Sequence, residues 1–127
     1  MRVLIVDDNE VAAELLAELL EDEHVVRTAC STAQALLAVK EEHFEVALVD
    51  VRLPEVLGEV LARQLRSALP ALVLIAVTAN SVQEIQDSEP CATTFSYFLQ
   101  KPVHFEELAA YLRRLGQRLE IGGFHDQ

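Results

Sequence analysis

Glycine and proline are scarce, with four of each in 127 residues. With 51% hydrophobic residues, a chain so poor in breakers should fold as a globule rather than stay disordered. Its length suits one domain. Cysteine is nearly absent: Cys30 and Cys91 show no metal-type spacing, and a domain of this size needs no disulfide. A reducing cytoplasm is the expected compartment. The histidines (His24, His43, His104, His125) form no ligand pair at helical spacing, which argues against a histidine metal site. Long apolar runs are missing too. The longest, "ALVLIAV" (71–77), is far short of the about 20 residues of a membrane span. The N-terminus carries one Arg and a short aliphatic run ending in acids, which does not read as a secretory signal.

Positive charge is also short. Lys and Arg number 10 against 21 Asp and Glu, for a net charge of −11. Phosphate backbones repel such a surface, which excludes direct nucleic-acid binding as the expected function. Arg113, Arg114 and Arg118 gather near the C-terminus and read as cations in the last turns of a helix, where the dipole favours them. No Gly-rich phosphate loop follows the first aliphatic run, which argues against a dinucleotide or flavin binder.

What is present is a regular alternation. "RVLIV" (2–6), "VVRTA" (25–29), "EVALVD" (45–50), "ALVLIAV" (71–77) and "FSYFL" (95–99) read as strands. Helix-period segments lie between them. Residues 9–22 place Val11, Leu15, Leu16, Leu19 and Leu20 on one stripe, with Asn9 or Asp8 as the cap. Residues 31–41 open on the capping box Ser31-x-x-Gln34. Residues 55–69 carry Leu57, Leu61, Leu65, Ala68 and Leu69, and residues 104–119 carry Phe105, Leu108, Leu112, Leu115 and Leu119. The segment 81–89 has only Val82 and Ile85 as anchors before Pro90, so a short, loosely held helix is expected there. Residues 120–127 are expected to be a short C-terminal tail, frayed over 121–127, with no output domain after it. Five β–α units predict an α/β fold with a parallel sheet between two helical layers.

In a doubly wound sheet, sites form beyond the carboxyl ends of the strands. The first strand ends in Asp7 and Asp8, the third in Asp50, the fourth in Thr78, and the fifth is followed by Lys101 and Pro102. Taken singly these residues are bland: a cap, a turn Asp, a solvated Lys. Together they fall at one edge. Three carboxylates within ~4–6 Å repel each other by on the order of 4 kcal/mol per close pair at an effective dielectric near 20. Folding must then either raise one pKa or bind a cation. Hard oxygens suit Mg²⁺, which keeps open positions for a phosphoryl group. The Thr78 hydroxyl and Lys101 ammonium can meet phosphoryl oxygens, and Asp50 can act as a nucleophile.

"LIVDDNE" (4–10), "LVDVRLPEVLG" (48–58), "VTAN" (77–80) and "FLQKPV" (98–103), in this order and spacing, make residues 2–119 resemble the receiver domain of bacterial two-component response regulators, of the chemotaxis-regulator type. The resemblance implies a flavodoxin-like (βα)5 three-layer sandwich with strand order 2-1-3-4-5. It implies a receiver over residues 1–119 in which Asp50 accepts a phosphoryl group from a phosphohistidine of a sensor histidine kinase or phosphotransfer protein. Mg²⁺ would be held by Asp7, Asp8, Asp50 and the Arg52 backbone carbonyl. Thr78, the Ala79 N–H and Lys101 would hold phosphoryl oxygens, and Phe98 would be the switch aromatic. Lys101–Pro102 would be cis. Arg52 and Asn80 would tune phosphoryl lifetime. Such a domain is a signalling module, whose chemistry is limited to self-catalysed phosphoryl transfer and slow autodephosphorylation. Its output partner would read the face formed by the fourth helix, fifth strand and fifth helix, where receivers also often pair with a second copy. The stretch 86–97 departs from the pattern: it lacks the usual small-Gly-small residues and carries Pro90. A receiver-fold interaction module independent of phosphorylation is the alternative. Gly58 reads as a loop glycine with a left-handed backbone.

Overall fold

The computed structural model describes residues 1–52, 58–78 and 94–125. Pro54, Ala79, Asn80, Cys91, the expected helix at 81–89 and most of the unusual stretch 86–97 lie outside these residues. The elements run β1 (Arg2–Val6), α1 (Glu10–Leu20), β2 (Val25–Ala29), α2 (Thr32–Glu41), β3 (Val46–Asp50), α3 (Gly58–Ala68), β4 (Val73–Thr78), β5 (Tyr97–Gln100) and α4 (Phe105–His125). The five strands form one sheet in the order β2-β1-β3-β4-β5, and every pairing is parallel. This is the expected doubly wound order. No described helix is long and apolar enough to cross a membrane.

Strand residues alternate between two cores, as a period of two dictates. Leu4, Val6, Ala47, Val49, Leu74 and Ala76 face α2 and α3, meeting Ala35, Ala38, Leu61 and Leu65. Val3, Ile5, Leu48, Ile75, Val77 and Leu99 face α1 and α4, meeting Ala13, Ala17, Leu20, Leu108 and Leu112. Both faces of the central strands are therefore dry. Along these strands, polar side chains are therefore confined to the ends.

The helices start where the sequence suggests. The Asn9 side chain accepts from Ala12 N at 3.1 Å and caps α1, so Asn9 and not Asp8 takes that role. Ser31 Oγ accepts from Gln34 N at 3.2 Å, while Gln34 Oε1 reaches back to Cys30 N at 2.8 Å. The box is thus closed one residue upstream of its usual partner.

The phase of α1 differs from the expected stripe. Ala13, Ala17 and Leu20 are buried and Leu16 is partly buried, whereas Val11, Leu15 and Leu19 are 66%, 57% and 51% exposed. Residues 13, 16, 17 and 20 form an equally good helical face. The Asn9 cap sets where the helix begins, and the small alanines let it lie close on Ile5 and Val3. Ala68, expected on the α3 stripe, is likewise exposed, and Ala62 is buried instead. Arg113, Arg114 and Arg118 do not occupy a last turn, because α4 continues to His125. The dipole acts only near helix ends, so it does not account for them. Arg113 Nε instead lies 4.0 Å from Glu23.

Leu20, on the buried face of α1, is 2% exposed, so Leu20→Ala should lower unfolding free energy by about 2–5 kcal/mol. Leu15→Ala should stay within about 0.5 kcal/mol of the wild type. Urea unfolding of both variants checks the observed phase of α1; equal losses would contradict it.

Candidate functional site

β1 and β3 are adjacent and in parallel register, with Val6 opposite Val49. Asp7 and Asp50 therefore leave the sheet side by side at the same edge. Both are buried, while Asp8, one residue further along the first turn, is exposed. One carboxylate oxygen from each of Asp7, Asp8 and Asp50 lies within 4.8 Å of the others.

The two buried carboxylates are held alike. Asp7 Oδ1 accepts from Asn9 N at 2.9 Å, and Asp50 Oδ1 accepts from Arg52 N at 2.9 Å. Each uses its other oxygen on the same cation: Lys101 Nζ donates to Asp7 Oδ2 and to Asp50 Oδ2, both at 3.1 Å. Lys101 is carried there by the end of β5. Its own N–H donates to Thr78 O at 2.7 Å, and the Lys101–Pro102 peptide is cis, as the resemblance implied. Burial pulls the Lys101 ammonium toward deprotonation, but its hydrogen bonds to Asp50 and Asp7 outweigh that and hold its pKa above the ordinary lysine value. Three carboxylates against one ammonium leave the cluster net negative. Its donors are hard oxygens, and Asp8 stands at the open rim. The donor set of Asp7, Asp8 and Asp50 fits a divalent cation such as Mg²⁺.

Thr78 ends β4 and is fully buried. It lies one step beyond Val77, the register partner of Asp50. Phe98, on β5, is half-buried. Its ring meets Phe95 edge-on, with centroids 6.0 Å apart and planes at 64°. Phe98, Lys101, Pro102 and His104 line a groove of about 420 Å³ on the β5 side. Asp7, Asp8, Asp50, Arg52, Thr78 and Lys101 thus converge as expected, with Phe98 two strands from Asp50. The expected roles of Ala79 and Asn80 fall outside the described residues.

Gly58 corrects the sequence reading. No described glycine has a positive φ, so Gly58 is not a left-handed glycine. It is the first residue of α3, and its N–H donates to Val51 O at 2.9 Å. The reason for glycine here is closeness to the Asp50–Val51 backbone. A Gly opening an apolar helical run just after a site loop is a signal that could have raised this.

Known proteins bear the same pattern. The response regulator receiver domain family matches residues 3–113. The two-component response regulator PhoP of Pseudomonas aeruginosa is 34% identical over 120 residues, 93% of this chain and 52% of that protein. The sensor protein TorS of Escherichia coli is 34% identical over 114 residues, 88% of this chain and 12% of that protein. The chain therefore spans about half or less of these relatives. A CheY-like receiver domain protein from Methanospirillum hungatei superposes with a TM-score of 0.85 at 25% identity, covering 95% of this chain and 97% of that one. A second, from Methylobacillus flagellatus, gives 0.78 at 28% identity, covering 90% and 97%. With a parallel 2-1-3-4-5 sheet and three acids gathered at its carboxyl edge, the chain belongs to the response regulator receiver domain family of two-component systems.

Proposed function

We propose that the chain is a phosphoacceptor: Asp50 takes a phosphoryl group from a phosphohistidine and the domain changes its partner affinity in response. The observation that carries this is the single Lys101 ammonium held 3.1 Å from both Asp7 and Asp50, beside an acidic rim that fits Mg²⁺. In the transfer, one Asp50 oxygen forms a bond to phosphorus as the phosphorus–nitrogen bond to the donor histidine breaks. The electron pair of that bond leaves with the imidazole. Arg52 N–H holds the other Asp50 oxygen and fixes the carboxylate plane. Bound through Asp7, Asp8, Asp50 and the Arg52 carbonyl, Mg²⁺ would neutralise charge on the phosphoryl oxygens. Lys101 then exchanges a carboxylate partner for a phosphoryl oxygen. Thr78 and the Ala79 N–H take the others.

The added charge is about −1.5 to −2 at pH 7. In this reading Thr78 moves toward it and Phe98 shifts between its half-buried position and the space behind Thr78. That alters the face around β5 and α4 and biases an existing equilibrium rather than making a new fold. In the same reading Arg52 and Asn80 set the phosphoryl lifetime by controlling water. The donor is a sensor histidine kinase or phosphotransfer protein, and the site of action is cytoplasmic. Residues 1–119 form the phosphoacceptor unit.

Incubation with acetyl phosphate and Mg²⁺ should add one phosphoryl mass to the intact protein. The adduct should be absent without Mg²⁺ and absent in Asp50→Asn. An unmodified wild type would contradict the proposal and favour a phosphorylation-independent module. In the same protein, Mg²⁺ at about 100 times its dissociation constant should stabilise the fold by about 2.7 kcal/mol. Asp8→Asn should unfold at higher temperature than wild type without Mg²⁺, because one repulsive charge is gone, and should lose most of the Mg²⁺ response. Thermal unfolding with and without Mg²⁺ measures both, and a full Mg²⁺ response in Asp8→Asn would remove Asp8 from the ligand set.

A further inference from the structure

We propose that Gly58 is a positioning residue for the Asp50 site, because its missing side chain lets the start of α3 close onto the backbone that carries the phosphoacceptor. The proposal rests on the reading of Asp7, Asp8, Asp50 and the Arg52 carbonyl as a Mg²⁺ site. A Cβ on Gly58 would run into the Asp50 carbonyl oxygen and would sit 2.7 Å from Val51 Cα and 3.1 Å from the Asp50 carbonyl carbon. Carbon atoms in favourable contact stand about 3.5–4.0 Å apart. All three obstacles are main-chain atoms, so no side-chain rotation relieves them.

The strand cannot give way either. Asp50 pairs with Val77 across β3 and β4, and Val51 N donates to Val77 O at 3.0 Å. On its other side β3 is paired to β1. Relief must come from α3 moving outward, which pulls Gly58 N from Val51 O. The backbone of Val51 leads directly into Arg52. Arg52 N–H fixes Asp50 Oδ1, and its carbonyl is the main-chain oxygen assigned to Mg²⁺. Gly58 therefore acts on the site through Val51 and Arg52, without touching the reacting atoms.

An internal control is available. A Cβ on Gly116, inside α4, would meet only the Met1 side chain, at 3.9 Å, an ordinary contact. Helix propensity favours alanine over glycine, so propensity alone predicts that both Gly→Ala changes help or do nothing. The close approach predicts that only Gly58→Ala harms the site.

The test is calorimetric titration of Mg²⁺ into the unphosphorylated proteins, with urea unfolding to verify a cooperative fold. Gly58→Ala should bind Mg²⁺ about 10- to 100-fold more weakly, the usual cost of losing a residue that orients a metal ligand. Gly116→Ala should bind as the wild type does. Wild-type affinity in a folded Gly58→Ala would overturn the proposal. If Gly58→Ala does not fold, the wild type decides by NMR. The Gly58 amide should be protected from hydrogen exchange and should shift with that of Arg52 as Mg²⁺ is added. A Gly58 resonance indifferent to Mg²⁺ would overturn the proposal. A wild type that binds Mg²⁺ but forms no acetyl phosphate adduct would sink the phosphoacceptor reading and leave this test standing. One that binds no Mg²⁺ would sink both.

Discussion

One ammonium shared by two buried carboxylates is the constraint around which the site is organised. Asp7 and Asp50 are brought together by adjacent parallel strands, and nothing in the sheet itself makes that juxtaposition favourable. Two carboxylates at about 4 Å repel by about 4 kcal/mol at an effective dielectric near 20. Lys101, from a point 94 residues after Asp7 and 51 after Asp50, supplies the opposing charge. Removing one partner from such a group leaves an uncompensated buried charge, which is strongly destabilising. In the proposed phosphoacceptor role the same ammonium would meet the charge added at Asp50, so that stability and the proposed function draw on a single contact.

The rest of the fold serves that contact by being stiff where it must be. The central strands are dry on both faces, so their register is fixed and their ends are delivered to one place. Lys101 is aimed by its backbone bond to Thr78 O, which ties the end of β5 to the end of β4. The start of α3 lies against Asp50–Val51 with no side chain between. Further along β5 the packing is aromatic: Tyr97 stacks on Tyr111 with centroids 4.2 Å apart and planes 7° from parallel, and Tyr97 OH donates to Glu107. This fastens β5 to α4 on one face of the sheet. On the other face Phe98 is only half-buried beside Phe95.

The strands were legible because each is a short aliphatic or aromatic run bounded by polar residues, and their alternation with helices implied the parallel sheet. The acids were legible for the same reason, since residues at strand ends must gather at one edge. The phase of α1 was not. Leucine and alanine recur together along it, so Val11–Leu15–Leu19 and Ala13–Ala17–Leu20 both satisfy the helical period. Only the cap at Asn9 and the close fit on β1 decide between them. Gly58 was visible as a glycine, but a sequence does not say whether glycine is needed for a backbone angle or for room. The sharing of Lys101 between two oxygens at equal distance is a matter of tenths of an ångström, which spacing along the chain does not carry.

The most direct measurement of the central claim is the NMR titration of Lys101, followed at its ε-carbon, in the wild type and in Asp50→Asn. A raised pKa means that the ion pairs contribute fully below the ordinary lysine value of 10.5 and are lost as pH rises through the raised one. The account predicts a wild-type midpoint above 10.5 and a clear downward move in Asp50→Asn, where burial acts on Lys101 with one carboxylate fewer. An identical titration in both proteins would show that Lys101 does not hold the two strand ends together, and would contradict the account.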